Sequence, residues 1–338
     1  MRIGIANDLP IATQLLRRVV LLRPETTVVW TARDGAEAIA MCAKDTPDLI
    51  LMDLIMPITD GVQATKQIMA KTPCAILVVT TSIDINADRV FEAMGYGALD
   101  AVDTPVLGTQ DLRESAKPLL ALVDRVAQMN ASRTQRLVAK PAPRRPREPA
   151  YNGRMVAIGA SAGGPAALAQ LLAGLPKDFP AAIVVVQHVD EKFASGMAEW
   201  LNQISPLPVR VAKEGDRPVI GGVLLAGSGD HLALKTADKL GYCPDPRDST
   251  YRPSVDVFFE SISLRWKGEA AAVLLTGMGR DGAVGLRALR DKGWHTIAQD
   301  EKSSAVYGMP KAAKELDAAV DILPLDQIAP KLRKIFAS

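Results

Sequence analysis

The sequence predicts an α/β protein made of two parallel-sheet domains joined by a linker. Three observations predict it. Short apolar runs alternate with amphipathic stretches along most of the chain, the pattern of parallel strands covered on both faces by helices. One Pro- and Arg-rich stretch near residue 140 interrupts that alternation. The 338 residues also fit two domains of ~150 residues each.

In the first domain, residues 1–128, the strand candidates are Arg2–Asn7, Thr27–Ala32, Leu49–Asp53, Ala75–Thr80 and Leu99–Val102. Helical spacing falls near Pro10–Leu22, Ala36–Lys44, Asp60–Lys71 and Ala87–Met94, and a fifth helix near Asp111–Gln128 closes the domain. The second domain, residues 151–338, begins with the strand Arg154–Ile158. A Gly-rich turn follows, and then a helix near Pro165, a residue suited to a first helical turn. Ala182–Gln187 and Ala270–Thr276 are continuous apolar runs of the buried-strand type, and Thr296–Ala298 is a further strand. Gly222–Ala226 and His231–Lys235, separated by Gly-Ser-Gly-Asp, predict an antiparallel hairpin.

Composition narrows the function classes. Lys and Arg total 40 against 38 Asp and Glu, so the basic excess of a nucleic-acid-binding protein is absent. Cys42, Cys74 and Cys243 are too few and too scattered for a disulfide framework or a cysteine zinc site. The start MRIGIANDLP carries no long apolar stretch, and no run approaches the ~20 residues that span a bilayer. A soluble, cytoplasmic protein without membrane insertion is expected.

The linker, residues 129–150, contains Pro141, Pro143, Pro146 and Pro149, which block helix and sheet hydrogen bonding. Six basic residues oppose Glu148 there, so the segment carries +5 and the rest of the chain −3. A solvated spacer is the plain reading; a tether to an acidic or phosphate-bearing partner is the sharper one.

Ligands of open parallel sheets bind at the carboxyl ends of the strands. Asp8 follows the first strand, Asp53 closes the third and Thr80 the fourth, so their side chains are expected to converge. Two carboxylates with carbonyl oxygens suit Mg²⁺, and one aspartate could accept a phosphoryl group while the metal neutralises charge. Asp53-Leu54-Ile55-Met56-Pro57, followed by Asp60-Gly61, resembles the phosphorylated loop of two-component receiver domains, a flavodoxin-like (βα)5 fold. Thr80 lies 27 residues past Asp53, where that family has its switch hydroxyl. The resemblance implies phosphorylation at Asp53, and Mg²⁺ held by Asp8, Asp53 and the Ile55 carbonyl. The amide of Asn7, where the family has an acid, would reach the metal through water. Thr104-Pro105 replaces a Lys-Pro pair and Ala101 replaces an aromatic, changes that alter the coupling to conformation.

In the second domain, Gly159-Ala160-Ser161-Ala162-Gly163-Gly164 suits a sharp strand–turn–helix that exposes the serine hydroxyl. The helix N-terminus beyond it offers free N–H groups to a developing oxyanion. Of three histidines, His188 alone caps a buried strand at the edge where Ser161 sits; His231 and His295 begin strands. Asp281 lies on the Gly-rich loop Thr276–Gly282 at the same edge. Ser161 as nucleophile, His188 as base and Asp281 as its orienting acid follow. The order Ser, His, Asp differs from that of α/β-hydrolases.

Six motifs occur in order: Gly159–Gly164, Gln187-His188, Arg252-Pro253-Ser254-Val255-Asp256, Thr276–Gly282, Gln299-Asp300 and Tyr307–Pro310. Together they resemble the chemotaxis protein-glutamate methylesterases, the CheB family. Ala162 stands where that family has Thr, but its backbone N–H is retained. The resemblance implies a doubly wound, mainly parallel α/β methylesterase domain, and Met278 N–H in the oxyanion hole. It implies demethylation of glutamate methyl esters on methyl-accepting chemoreceptors, with deamidation of selected glutamines. It further implies a CheA-type histidine kinase as phosphodonor, and a receiver that covers the active-site face until it is phosphorylated. Thr104-Pro105 is similar to the Wsp-type surface-sensing branch. Two other classes remain open on the residues alone. One is a non-catalytic receiver-based adaptor. The other is a phospho-gated oxidoreductase in which the Gly-rich turn and Asp190 would hold a dinucleotide.

Overall fold

The computed structural model describes residues 1–83, 85–105, 112–131, 153–247, 249 and 251–337. The chain divides into two compact units, Met1–Gln135 and Arg136–Ser338. The Pro-rich stretch from residue 132 to 150 lies outside the described residues. Residues 129–131, expected as linker, instead continue a helix to Ala131.

The first unit is a five-stranded parallel sheet in the order β2-β1-β3-β4-β5. Its strands are Arg2–Ala6 (β1), Thr27–Ala32 (β2), Leu49–Met52 (β3), Ala75–Thr80 (β4) and Asp100–Asp103 (β5). All four side chains of β3 are buried, which suits the central position. Helices Pro10–Val20 (α1), Gly35–Lys44 (α2), Gly61–Lys71 (α3) and Ala87–Gly95 (α4) connect the strands. Asp34 and Asp60 cap α2 and α3 by accepting from Glu37 and Gln63 N–H. The expected closing helix is two, Leu112–Ser115 (α5) and Lys117–Ala131 (α6). Pro118 explains the restart: it lacks an N–H and fits a first helical turn.

The second unit holds a seven-stranded parallel sheet in the order β14-β13-β12-β6-β7-β9-β8. The strands are Arg154–Ala160 (β6), Ala182–Gln187 (β7), Val209–Val211 (β8), Val223–Leu225 (β9), Glu269–Leu274 (β12), His295–Gln299 (β13) and Asp321–Leu323 (β14). From β6 the chain winds first toward β7 and later toward β12. The switch point of the sheet is therefore at β6, flanked by the strands that carry the other predicted residues.

The hairpin is real but its partners differ from those expected. His231–Leu234 (β10) pairs antiparallel with Leu240–Cys243 (β11). Val223–Leu225 instead joins the parallel sheet between β7 and β8. Its three side chains are all buried, as an internal strand requires. The turn beyond it is tied elsewhere: Gly229 N–H donates to Glu191 and Gly227 N–H to the Tyr242 hydroxyl. Among the described residues no helix is long and apolar enough to cross a membrane.

Candidate active site

Parallel register between β6 and β7 aligns Gly159 with Val186 and Ala160 with Gln187, so Ser161 and His188 leave the sheet side by side. His188 N–H donates to the Ala160 carbonyl (3.0 Å), which fixes this alignment. Pairing of β12 with β6 brings the Thr276–Gly282 loop to the same edge. The turn after β6 closes with Gly164 N–H on the Ser161 carbonyl (2.7 Å). Gly163 has φ 74°, a left-handed conformation that L side chains rarely adopt, and it leads directly into helix Gly164–Ala173 (α7).

His188 Nε2 lies 2.7 Å from Asp281 Oδ2, with side chains only 10% and 7% exposed. Asp281 accepts from three further donors. Val255 N–H reaches Oδ2 (2.7 Å), and Ser254 hydroxyl (2.8 Å) and Asp256 N–H (3.0 Å) reach Oδ1. Burial pushes the Asp281 carboxyl up. The hydrogen bond and charge of His188, with the two backbone donors, outweigh it and hold the group below the usual carboxylate range. An ionised carboxylate only accepts, so Nε2 carries the proton and Nδ1 is left as the basic nitrogen. Nδ1 is buried and without a partner. Ser161 Oγ makes no hydrogen bond among the described residues either. The two atoms therefore share no hydrogen bond.

The imidazole has a floor. The ring of Tyr251 stacks on it, with centroids 4.3 Å apart and planes within 6°. His231 is fully buried and accepts Ser254 N–H through Nδ1 (3.0 Å). It thereby anchors the start of helix Val255–Arg265 (α9), which holds Asp281. Tyr251, Ser254 and His231 escaped the sequence reading. The Arg252–Asp256 motif was the one signal pointing near them, and it revealed no role by itself.

Backbone donors face the same edge. Ser161 N–H is spent on the Thr276 carbonyl. Ala162 and Met278 N–H have no acceptor among the described residues, so both are free for a substrate oxygen. The Thr276 hydroxyl donates toward the Ala162 carbonyl (3.0 Å), steadying that peptide without a hydroxyl at position 162. Asp190, which a dinucleotide site needed, is instead the cap of helix Glu191–Ile204 (α8), accepting from Lys192 N–H.

In the first unit, Asn7, Asp8, Asp53 and Thr80 all sit at strand carboxyl ends, as expected. Burial pushes the Asp53 carboxyl up to about 6; Ile55 and Leu54 N–H oppose this, and the charge of Asp8 adds to it. Two neighbouring acids, with carbonyls nearby, fit a hard divalent cation. Among the described residues no three His, Cys, Asp or Glu side chains converge, so carbonyl oxygen must complete such a site. Asn7, expected to act through water, donates directly to Asp53 Oδ2 (2.9 Å), and its own Oδ1 accepts Leu9 N–H (2.9 Å). The Thr80 hydroxyl accepts from the Asn86 amide (3.0 Å), which ties it to the start of α4. Thr104 N–H bonds the Thr80 carbonyl (2.7 Å).

The chain therefore combines a Ser, His and Asp constellation at a sheet switch point with an aspartate-bearing (βα)5 domain, the arrangement expected of a regulated hydrolase. Comparison with known proteins sharpens this. Residues 156–332 match the CheB methylesterase family and residues 3–117 the response regulator receiver domain. The chain belongs to the CheB methylesterase family. It is 56% identical over 336 residues to a protein-glutamate methylesterase/protein-glutamine glutaminase of Pseudomonas fluorescens, covering 99% of both chains. A protein of the same name from Pseudomonas aeruginosa is 55% identical, covering 99% of this chain and 100% of that one. The catalytic domain of Thermotoga maritima CheB matches with a TM-score of 0.53 and 36% identity. That match covers 55% of this chain and 100% of that one.

Proposed function

We propose that the protein hydrolyses γ-methyl esters of glutamate on methyl-accepting chemoreceptors, and that Ser161, His188 and Asp281 carry the reaction. One observation carries this: an imidazole is locked through Nε2 onto a fully bonded carboxylate, with Nδ1 left unpartnered at the sheet edge that also carries Ser161.

Ser161 Oγ attacks the ester carbonyl while its proton passes to His188 Nδ1. Asp281 stabilises the resulting imidazolium. Ala162 and Met278 N–H receive the oxyanion. As the tetrahedral species collapses, the bond to methanol breaks and the leaving oxygen takes the proton from Nδ1. Water then gives a proton to Nδ1 and attacks the acyl-enzyme; as that species collapses, the bond to Ser161 Oγ breaks, Oγ takes the proton back from Nδ1, and the glutamate side chain is released. A glutamine side chain follows the same course with ammonia leaving, consistent with the double name of the relatives.

Regulation rests on the first unit. Asp53 accepts a phosphoryl group from a CheA-type histidine kinase; Asp8, Asp53 and the Ile55 carbonyl would hold Mg²⁺, and Asn7 holds Asp53 Oδ2 directly. The cation supplies charge neutralisation for the transfer. Thr80 offers a hydroxyl to the phosphoryl group, while Thr104 provides none of the charge that a lysine would. Phosphorylation raises the esterase rate.

Methanol release from a methylated chemoreceptor tests both parts. Ser161→Ala is expected to lose several orders of magnitude in rate. Acetyl phosphate with Mg²⁺ is expected to accelerate the wild type but not Asp53→Ala. Wild-type release by Ser161→Ala would end the esterase assignment. Equal rates with and without phosphodonor would end the regulatory one.

A further inference from the structure

The mechanism leaves one half-buried acid beside the triad unused. Asp256 is the second residue of α9, two past its cap Ser254, and its N–H is one of the three non-imidazole donors to Asp281. Its own carboxylate points the other way, accepting Gly285 N–H (2.7 Å) in the first turn of helix Ala283–Asp291 (α10). The two acids are thus exchanged. Asp281 precedes α10 and serves the N-terminus of α9; Asp256 belongs to α9 and serves the N-terminus of α10. Helix α10 needs this service, because its cap is Gly282, which has no side chain to accept from the free N–H groups. The helices also approach closely, since a Cβ at Gly285 would lie 2.6 Å from Phe259 Cβ.

We propose that Asp256 is a positioning residue for the esterase reaction: its carboxylate pins α10 to α9, fixes the loop that carries Asp281, and places a second negative charge beside the triad acid. This inference rests on the triad assignment above. The charged groups around Asp256 are Asp281 on the loop before α10 and Glu260 on its own helix; His188 is reached through Asp281. Burial pushes the Asp256 carboxyl up to about 6; Gly285 N–H opposes this and the charge of Asp281 reinforces it. Asp256 therefore gains its charge in the pH range where a histidine base loses its proton. A charged Asp256 adds to the negative field that Asp281 sets at the imidazole.

The test measures methanol release from a methylated chemoreceptor by the full-length chain between pH 5 and 8.5. Asp256→Asn keeps an oxygen for Gly285 N–H but removes the charge. Its plateau kcat should fall about threefold, and the rising limb of kcat/KM should move down by about half a pH unit, as for one charge beyond direct contact. Asp256→Ala also removes the acceptor, so kcat should fall tenfold or more with KM within about twofold. A limb for Asp256→Asn superimposable on the wild type, or a wild-type kcat for Asp256→Ala, overturns the proposal. Should Asp256→Ala fail to fold, the limb position of Asp256→Asn decides. Ser161→Ala is run beside them: retained activity there refutes the triad itself, whereas a dead Ser161→Ala with unaltered Asp256 variants refutes only the role of Asp256.

Discussion

Replacing Asp281 by Asn probes the constellation most sharply, because its four donors leave an amide no satisfactory orientation. Oδ2 accepts from His188 Nε2 and Val255 N–H, and Oδ1 from the Ser254 hydroxyl and Asp256 N–H. With the amide nitrogen toward His188, Nε2 must turn acceptor and the ring proton moves to Nδ1. The base is then lost, which costs about 10³–10⁴ in rate, or about 4–5.5 kcal/mol of barrier. With the amide oxygen toward His188, the tautomer survives. The nitrogen then faces Asp256 N–H, and that buried donor goes unpaired at about 1–3 kcal/mol. Either way the variant loses the charge that stabilises the imidazolium. Methanol release from a methylated receptor should fall at least a hundredfold. Melting should drop by about 2–12 °C, at about 2–4 °C per kcal/mol for a domain of this size. A variant within tenfold of wild-type kcat at pH 7.5 would show that Asp281 does not orient the base.

Three other outcomes follow from the geometry. Asn7→Asp exchanges the amide on Asp53 for a third acid beside Asp8 and Asp53, so Mg²⁺ should bind about tenfold more tightly by calorimetric titration; an unchanged Kd would refute the assignment of the cation site. Gly277→Ala would put a Cβ 2.2 Å from Met309 Sδ and 2.7 Å from Ser161 Cβ. It should displace the nucleophile and lower kcat about 10–100-fold, whereas a wild-type rate would mean that the loop yields freely. Asp256→Asn should change the pH dependence of stability. The folded carboxyl titrates near 6 against an ordinary 3.8, so its contribution is whole below pH 3.8 and is lost as pH rises through 6. The Tm of the variant minus that of the wild type should therefore grow between pH 5 and 7.5. The gain is at most about 3 kcal/mol, and about half that after allowing for partial exposure. A difference flat with pH would contradict the buried, charge-crowded site.

Ser161, His188, Asp281 and Asp53 could be read from the chain because each signal is local. Each lies at the end of an apolar run or in a Gly-rich turn, and parallel sheets collect such ends along one edge. The same locality placed Asp8 and Thr80. It failed for Val223–Leu225, whose neighbours in the chain suggested a hairpin, while burial of all three side chains placed it inside the parallel sheet. It failed too at α6, where helical periodicity ran smoothly past a break set by Pro118.

By its own order of residues the chain therefore determined two α/β domains, the strand edges that bear the chemistry, and the family motifs. Only the tertiary structure decided which nitrogen of His188 bonds Asp281 and which is left unpartnered. That choice depends on Asp281, 93 residues away, and on three donors at the start of α9 that fill its oxygens. It likewise decided that Tyr251 lies flat on the ring, and that Asp256 and Asp281 serve each other's helices. Hydrogen-bond partners across such distances are set by how helices pack on the sheet, and no pattern of neighbouring residues encodes them.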